Sequence, residues 1–545
     1  MGSMTVGSRL RARRGLALAL LVVVGGCTSI APPTPETMPY QGATPTPNAT
    51  QTMVPPSPSP SPHPGPVSFP LAVVTGITNL KATTTLVELA ALKGAGKLLL
   101  PCGVSITAPA AMAGSPPSSC APSDAIAGML ARAPKSVALL PSGLVVPTTK
   151  VLPIGGDGPF GLGGADLFGA AEARNQAYPI VGEATDLPRA WTAYDPGQVW
   201  TLVSLGDTCP DRGVAYAAIT QGLGWPWVLN GGTAKYTRIY PNPAPPSHPG
   251  SGVDIVAAKA TGNAGAVGRL SAGADVTIDD FECPIVDHWK PNLGTVRVFT
   301  VDPKLVPLLH TTLGIDIAYL ASNHLTDGGI TGIKSTLRYL NAAGIEPSGL
   351  GLNLADALRP AYFQVGPVKL AFVSFNIVPG TLEAGRSAPG VAWLTKANVV
   401  AAVQEARAGG AQVVFCDPQW WGGAEYHSDF KPGQRTELAW FDEAGCDHVV
   451  GAGTHYAGPL LLGTLADGKA RLVMASHGNF LFGQDWSQPT QEGVILEMAF
   501  RGTDLVNVRV HPYIMLRQAQ ASLIDPETDG RYVLGRIWKD AEIAP

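Results

Sequence analysis

Between Gly314 and Gly329 the sequence GIDIAYLASNHLTDGG sets Ser322, Asn323, His324 and Asp327 directly after the apolar run Ile315–Leu320. An amide, an imidazole and a carboxylate at that spacing are hard or borderline donors for a divalent metal, and the imidazole and carboxylate also serve as general acid or base. The run before them is too short and too β-branched for a free helix, so it reads as a buried strand. Gly328 and Gly329 break the chain, and Ile330–Ala343 resumes with the helical spacing of Ile330, Ile333, Leu337 and Leu340. Open α/β sheets bind ligands beyond the carboxyl ends of their strands, which is where this cluster falls. Taken alone, Asn-His-x-x-Asp also fits an Asn-capped turn carrying an ordinary surface His.

Six other apolar runs end in the same way. Val199–Leu205 leads into Gly206-Asp207, Asp275–Ile278 into Asp279-Asp280-Phe281-Glu282, and Lys369–Phe375 into Asn376. Gln412–Phe415 is followed by Asp417 and then Trp420-Trp421-Gly422, His448–Val450 by Thr454-His455, and Arg471–Ala475 by Ser476-His477-Gly478-Asn479. One polar strand end means nothing, because loops are polar. Seven along one alternation of strands and helices predict an α/β domain with a common polar site on one rim. The chain has no G-x-S-x-G elbow, no Walker lysine and no Rossmann fingerprint. Charged residues make up 14% of it and the formal net charge is −4, so it carries no electrostatic footprint for nucleic acid.

The order of these strand ends resembles the bacterial capsule-synthesis protein CapA family, associated with poly-γ-glutamate capsule production, whose domain is similar to calcineurin-type metallophosphoesterases. Gly206-Asp207 with Arg212 matches the family's opening Gly-Asp and Arg, and Asp280-Phe281-Glu282 with Pro284 stands where it has Asn-Leu-Glu. Ser322-Asn323-His324, Asp327 and Gly329 match its Ala-Asn-Asn-His…Asp-x-Gly block, and Ala343-Gly344-Ile345 the turn after the helix. Trp421-Gly422 with Glu425-Tyr426, then Pro432 and Gln434, match in part a His-Trp-Gly…Glu-Tyr segment. Gly451 and His455, with Pro459, match a Gly-x-x-x-His turn, and Ser476-His477-Gly478-Asn479-Phe480 a Ser-Leu-Gly-Asn-Phe strand end.

The resemblance implies a layered sandwich of the calcineurin-like metallophosphoesterase type over residues 197–515. On its rim it implies a divalent metal (manganese, zinc or iron) held by Asp207, Asp280, Glu282, Asn323 and His455. It places His324, Asp327 and Arg212 in the catalytic role, and Arg212, Trp421, Glu425 and Asn479 against the substrate. The planar fork of Arg212 suits an anionic group. The sequence also departs from the family. Trp420 stands where His precedes Trp-Gly, and a turn that commonly carries two His keeps His455 alone, with Ala452 or Gly453 near the other position. Asp280 replaces the family's Asn. His427 and His477 are extra imidazoles that read as surface or supporting residues. A two-metal hydrolase needs convergent ligands on ions about 3.5–4 Å apart, whereas this reduced set suits one metal or a metal-free anion or glycan site. Two readings stay open: metal-assisted hydrolysis or transfer at a phosphoester, amide or ester, and non-catalytic holding of an anionic cell-surface polymer with recruitment of a membrane synthase complex.

The remaining elements set these strands in context. Arg9, Arg11, Arg13 and Arg14 precede the apolar run Leu16–Val24, which is too short to span a bilayer and has the flanks of an export signal. The following VGGC resembles a bacterial lipobox, implying cleavage before Cys27 and a lipid anchor on its thiol. This predicts a protein held at the outer face of the membrane, with residues 28–65, rich in Pro, Ser and Thr, as an extended spacer. Residues 66–195 read as a small α/β module, faintly like part of a solute-binding domain. Its expected elements are Pro70–Asn79, Lys97–Leu100 and Ser136–Leu140 as strands, with Thr85–Lys93 and Asp124–Ala133 as helices. The glycine-rich Gly155–Gly164 reads as a flexible connector, and residues 516–545 as a tail without strong periodicity. Six cysteines besides Cys27 permit disulfides in an exported chain. Cys102–Cys120, across a short loop, and Cys209–Cys283, on one rim, are the expected pairs. Cys416 closes one strand and Cys446 opens the next, so these two are expected to remain free.

Overall fold

The computed structural model describes residues 66–185, 193–241, 254–262, 264–292, 298–420 and 425–543. The signal segment, Cys27, the 28–65 spacer, Trp421 and Gly422 lie outside them.

Two sheets face each other across a shared apolar layer. In the first, the parallel strands Glu346–Ser348, Ile317–Tyr319, Val276–Phe281 and Val199–Cys209 lie side by side in that order. The antiparallel strands Glu492–Arg501 and Asp504–Leu516 extend the sheet from Val199–Cys209, and Asn479–Phe482 pairs with the end of the same strand. In the second sheet Val368–Asn376, Val413–Gln419, His448–Val450 and Ala470–Met474 run parallel in that order. All seven expected strands are present. They read as continuous apolar runs because parallel strands are buried on both faces.

Between the sheets Leu202, Ile278, Ile317, Phe372, Phe415, Leu496, Met498 and Phe500 pack together. The outer face of the first sheet is covered by Ala266–Gly273, Val306–Leu313 and Gly329–Ala343, which contribute Leu270, Leu309, Ile333 and Leu340. Lys396–Ala408 and Pro432–Ala444 cover the second sheet with Val399, Val403 and Phe441. Each such side chain contributes about 1.5–3 kcal/mol when taken from water, so the helix–sheet–sheet–helix stack is held by its apolar faces. This is the layered α/β architecture the family resemblance implies.

The amino-terminal module has its own sheet around Val67–Gly76, which pairs with Val137–Pro141, Thr149–Val151 and Val181–Ala184. Thr85 caps the helix Leu86–Gly94 by accepting the Glu88 N–H. The module is packed against the long hairpin of the first sheet: Val199, Ala499 and Val506 share a core with Ala72, Val74 and Val151. The Gly155–Gly164 stretch is a tight folded loop rather than a loose connector. Ile154 bridges Ala165 and Asp157 bridges Leu162 across it. A Cβ on Gly164 would lie 2.5 Å from the Gly155 carbonyl oxygen, so the approach of the two strands requires glycine there.

Two other expectations are corrected. The stretch expected as a 516–545 tail is, over its described residues 516–543, integral to both sheets. Gln520–Ile524 joins the first sheet, Arg531–Lys539 buries Val533, Leu534 and Ile537 in the inter-sheet core, and Glu542–Ile543 pairs at an edge of the second. Its elements are too short to show a period in the sequence. Cys416 and Cys446 are bonded, with Cα atoms 6.2 Å apart, alongside the expected Cys102–Cys120 and Cys209–Cys283. The register explains this. Cys416 pairs with Val449, and the Asp447 N–H donates to the Val414 carbonyl, so Cys446 lies within three residues of Cys416's own level on the helix-covered face. Strand-opening and strand-closing residues sit at opposite ends only when the strands are long and in step, and His448–Val450 is short.

Candidate functional site

The inter-sheet face changes character along its strands. Ile278 gives way to Asp280 and then Glu282, and Phe415 to Asp417 and then Gln419, each step of two residues staying on one face. At the carboxyl end the apolar layer therefore becomes a layer of buried polar groups. Asp207, Asp280, Glu282, Asp417, Gln419, His455, His477 and Asn479 are all buried there, and Asp279, on the opposite face of its strand, accepts from Thr208 Oγ1 at 2.8 Å.

Asp207, Glu282 and His455 each present one ligand atom within 4.8 Å of the others. Asp207 is set by a close backbone approach: its N–H donates to the Gly478 carbonyl at 3.1 Å, and a Cβ on Gly206 would lie 2.1 Å from that oxygen. His455 has a left-handed backbone, φ +59°, which costs about 1–3 kcal/mol in a non-glycine residue and is common at ligand sites. Its tautomer is fixed by Asn479. The Asn479 Nδ2 donates to the Thr490 carbonyl at 3.0 Å and to Gln484 Oε1 at 3.1 Å, so its Oδ1 faces His455 Nδ1 at 2.8 Å. Nδ1 therefore carries a proton and Nε2 is left for a ligand. Asp207 Oδ2 is 3.2 Å from the same Nδ1, but Asn479 takes the better-aligned bond, and Asp207 Oδ2 has no other partner among the described residues.

Glu282 Oε1 accepts from Gln419 Nε2 at 3.3 Å, while its Oε2 has no partner. The same Gln419 nitrogen donates to Asn323 Oδ1 at 3.3 Å, which ties Asn323 to the group. Burial, then the Asp207 charge, push the Glu282 carboxyl up to about 7 against the relief from His455 and His324. Burial opposes charge on His455, but Asp207 and Glu282 outweigh it and hold the imidazolium up to about 9. Two carboxylates, an imidazole and an amide oxygen, with buried carboxylate oxygens lacking donors, fit a divalent metal. Binding one would displace a proton.

The other expected residues fall around this group. His324 Nδ1 donates to Asp327 Oδ2 at 3.1 Å, and Asp327 also accepts the Phe299 N–H at 2.8 Å. His324 packs edge-on against the Phe299 ring at 4.4 Å, and the Arg212 guanidinium lies over that ring at 4.0 Å. Arg212 has a left-handed backbone, φ +47°, at the start of a short helix capped by Asp211. Phe299 thus gathers His324, Asp327 and Arg212 at the lip, a role its sequence context did not reveal. Glu425 is exposed next to Tyr426, whose ring stacks on His455 at 5.4 Å. Trp421 is outside the described residues.

Two expectations change. Asp280 is not part of the convergent group: it lies one pleat below Glu282, between the sheets. The polar position at the fifth strand end is Gln419, not Trp420. Trp420 is fully buried in the apolar core and donates its indole N–H to the Ala475 carbonyl at 2.8 Å. His477 is buried beside Asp207, and burial pushes its imidazole down to about 4. His427 is half-exposed near Asp429 and takes no part.

Comparison with known proteins agrees with the order of these motifs. The chain is 28% identical over 232 residues to capsule biosynthesis protein CapA of Bacillus anthracis, covering 42% of this chain and 54% of that protein. It is 26% identical over 226 residues to PGA biosynthesis protein CapA of Bacillus subtilis, covering 41% and 57%. A probable polyglutamine synthesis accessory protein of Mycobacterium tuberculosis is 30% identical over 174 residues, covering 30% and 45%. The chain spans about half the length of the curated relatives it matches. Among solved structures, a 5'-nucleotidase precursor from Thermus thermophilus is 15% identical with a TM-score of 0.32, covering 62% of this chain and 58% of that one. A sulfate thiohydrolase SoxB from the same organism is 14% identical with a TM-score of 0.30, covering 62% and 59%. The family described as bacterial capsule synthesis protein PGA_cap matches residues 201–484, just over half the chain and the whole of the motif series, and this protein belongs to that family.

Proposed function

We propose that this chain is an exported, lipid-anchored protein of capsule or cell-surface polymer synthesis whose rim site acts on an anionic polymer of the polyglutamate kind by metal-assisted hydrolysis or transfer. The observation that carries this reading is the convergence of Asp207, Glu282 and His455 within 4.8 Å on the carboxyl rim. Family membership supports the polymer, and three disulfides suit an oxidising compartment outside the cytoplasm. Cys27 would carry the lipid, and a membrane synthase complex would be the partner that supplies the polymer.

Asp207, Glu282 and His455 would hold the metal, with the amide oxygens of Asn323 and Gln419 beside them. A bound divalent ion supplies Lewis-acid polarisation of the bond to be broken. The chain's own groups do the rest. His324, its Nδ1 held by Asp327, would take up a proton at Nε2 and, as the imidazolium, deliver it from Nε2 to the leaving group. Arg212, braced on Phe299, pairs with a carboxylate or phosphate of the polymer. Asn479 keeps His455 in the tautomer that frees Nε2.

A second reading, non-catalytic holding of the polymer, is favoured by Trp420, and by Ala452 or Gly453, at or near the positions where the family carries imidazoles. Elemental analysis of the purified protein beside the Asp207→Ala/His455→Ala double variant separates the two. Manganese, zinc or iron bound to the wild type and lost in the variant, with turnover of γ-glutamyl or phosphoester substrates, supports the hydrolase. No metal after reconstitution, with polymer binding intact, supports the holding role.

A further inference from the structure

Below the rim group lies a second set of oxygens that the proposed function does not use. Asp280 is 4% exposed, yet neither carboxylate oxygen has a hydrogen-bond partner among the described residues. Its sheet neighbour Tyr319, paired with it in register, is 2% exposed, and its hydroxyl is likewise without a partner. Asp417 faces them from the second sheet, two residues beyond Phe415, and receives a single donor, Ser374 Oγ at 2.8 Å. Ser374 in turn accepts the Ala321 N–H at 3.2 Å, two residues past Tyr319, so this bond ties the two sheets together at the level of the cluster.

The charge count makes these orphans informative. Asp207, Asp280, Glu282 and Asp417 are four buried carboxylates in one layer. Among the described residues the one ion pair any of them makes is His455 with Asp207. Burial pushes both Asp280 and Asp417 well above the usual carboxylate range, and neighbouring charges add to it, Asp417 first for Asp280, and Asp207 and Glu282 for Asp417. A buried polar group without a partner carries its full desolvation penalty, and a native fold seldom keeps several side by side. One divalent ion at the rim offsets Asp207 and Glu282 and leaves the deeper pair. A single proton shared between Asp280 and Asp417 would still leave the other Asp280 oxygen and the Tyr319 hydroxyl unpaired.

We propose that a second divalent cation, of the hard oxygen-seeking class (magnesium, calcium or manganese), binds between the sheets to Asp280, Asp417 and the Tyr319 hydroxyl, one pleat below the Asp207–Glu282–His455 group. The donors are all oxygens, unlike the rim set with its imidazole, so the two sites differ in metal preference. Gln419 Oε1, also without a partner, stands two residues beyond Asp417 next to Glu282 and marks the way in from the rim. The family histidines replaced here are not needed for this site, and the inference does not depend on the chemistry of the polymer.

Titration of chelator-stripped protein with manganese, read by equilibrium dialysis and elemental count, tests it. Wild type should take up two equivalents. Asp280→Asn and Asp417→Asn should each take up one, and Glu282→Gln should also take up one. Tyr319→Phe should keep both while weakening one about tenfold. Melting in chelator controls for folding: the two Asn variants should melt no lower than wild type, and the rise in melting temperature that calcium gives the wild type should vanish in them. If Asp417→Asn and Asp280→Asn bind as much as wild type, the inner site is overturned and the rim reading stands. If the wild type binds one equivalent that is lost in Asp417→Asn but kept in Glu282→Gln, the rim reading fails and the inner site stands. No bound metal in wild type overturns both.

Discussion

Two buried clusters of charge in this protein are built on opposite plans. Where the amino-terminal module meets the long hairpin, Arg509 bonds Asp166 at 2.6 Å, reaches Glu497 at 3.4 Å and donates to the Val151 carbonyl at 3.1 Å. His511 closes the network onto Glu497 at 2.8 Å. Here a guanidinium and an imidazole face two carboxylates, and the donors and acceptors are matched. At the carboxyl rim four carboxylates, Asp207, Asp280, Glu282 and Asp417, face one imidazolium, and carboxylate oxygens are left over. Burial is the same in both places, so burial alone does not mark a site. The surplus of acceptors sets the two apart: the first cluster is matched within the protein, and the second leaves oxygens that a cation or protons would satisfy.

Breaking the matched cluster should have the largest effect on stability. Arg509→Met leaves Asp166 and Glu497 buried and unpaired, which is expected to remove about 3–5 kcal/mol of unfolding free energy. Urea denaturation would read this, and metal binding per folded molecule should be unchanged. An acid limb is the next largest effect. Burial alone would raise the Glu497 carboxyl, but Arg509 and His511 outweigh it and hold it down at about 2. A carboxyl depressed on folding contributes its stability above its ordinary value and loses it as pH falls through the folded one. Wild type should therefore lose about 3 kcal/mol between roughly pH 4.5 and 2, at 1.36 kcal/mol per unit. Glu497→Gln should flatten that limb. A limb of unchanged depth would mean that other carboxyls carry it.

The two clusters were not equally legible in the sequence. The rim could be read because parallel strands announce themselves as apolar runs and their ends fall on one edge, so Asp207, Glu282, Asn323, His324 and His455 were nameable before any fold was known. Depth could not be read. Asp280 and Glu282 look equivalent in the sequence, yet one pleat separates a rim ligand from a residue sealed between sheets. Gln419 was overlooked because Trp420-Trp421-Gly422 drew attention past it; the alternation Phe415, Asp417, Gln419 was the signal for it. Phe299 sits in a stretch with no periodicity, and its role depends on where the chain returns to the lip. The Arg509 network joins residues more than three hundred positions apart, across a boundary the sequence places between two separate modules. Nothing local in the sequence marks its members as partners.

Smaller substitutions sharpen the contrast within the rim itself. Gln419→Met removes the one donor shared by Glu282 Oε1 and Asn323 Oδ1, adding to the surplus of acceptors. In metal-free protein it is expected to cost about 1–3 kcal/mol, the price of stranding buried acceptors. Added manganese should recover part of that in thermal melts, because a cation satisfies the same oxygens. His324→Ala lies at the other extreme. Its imidazole is 22% exposed and makes one hydrogen bond, to an Asp327 that keeps its bond from Phe299. Losing it should change unfolding free energy by less than about 1 kcal/mol while abolishing turnover, or polymer binding if the site only holds. A loss above about 2 kcal/mol would move His324 into the class of Arg509, a side chain retained for architecture, and the proton-transfer role at the lip would have to pass to another group.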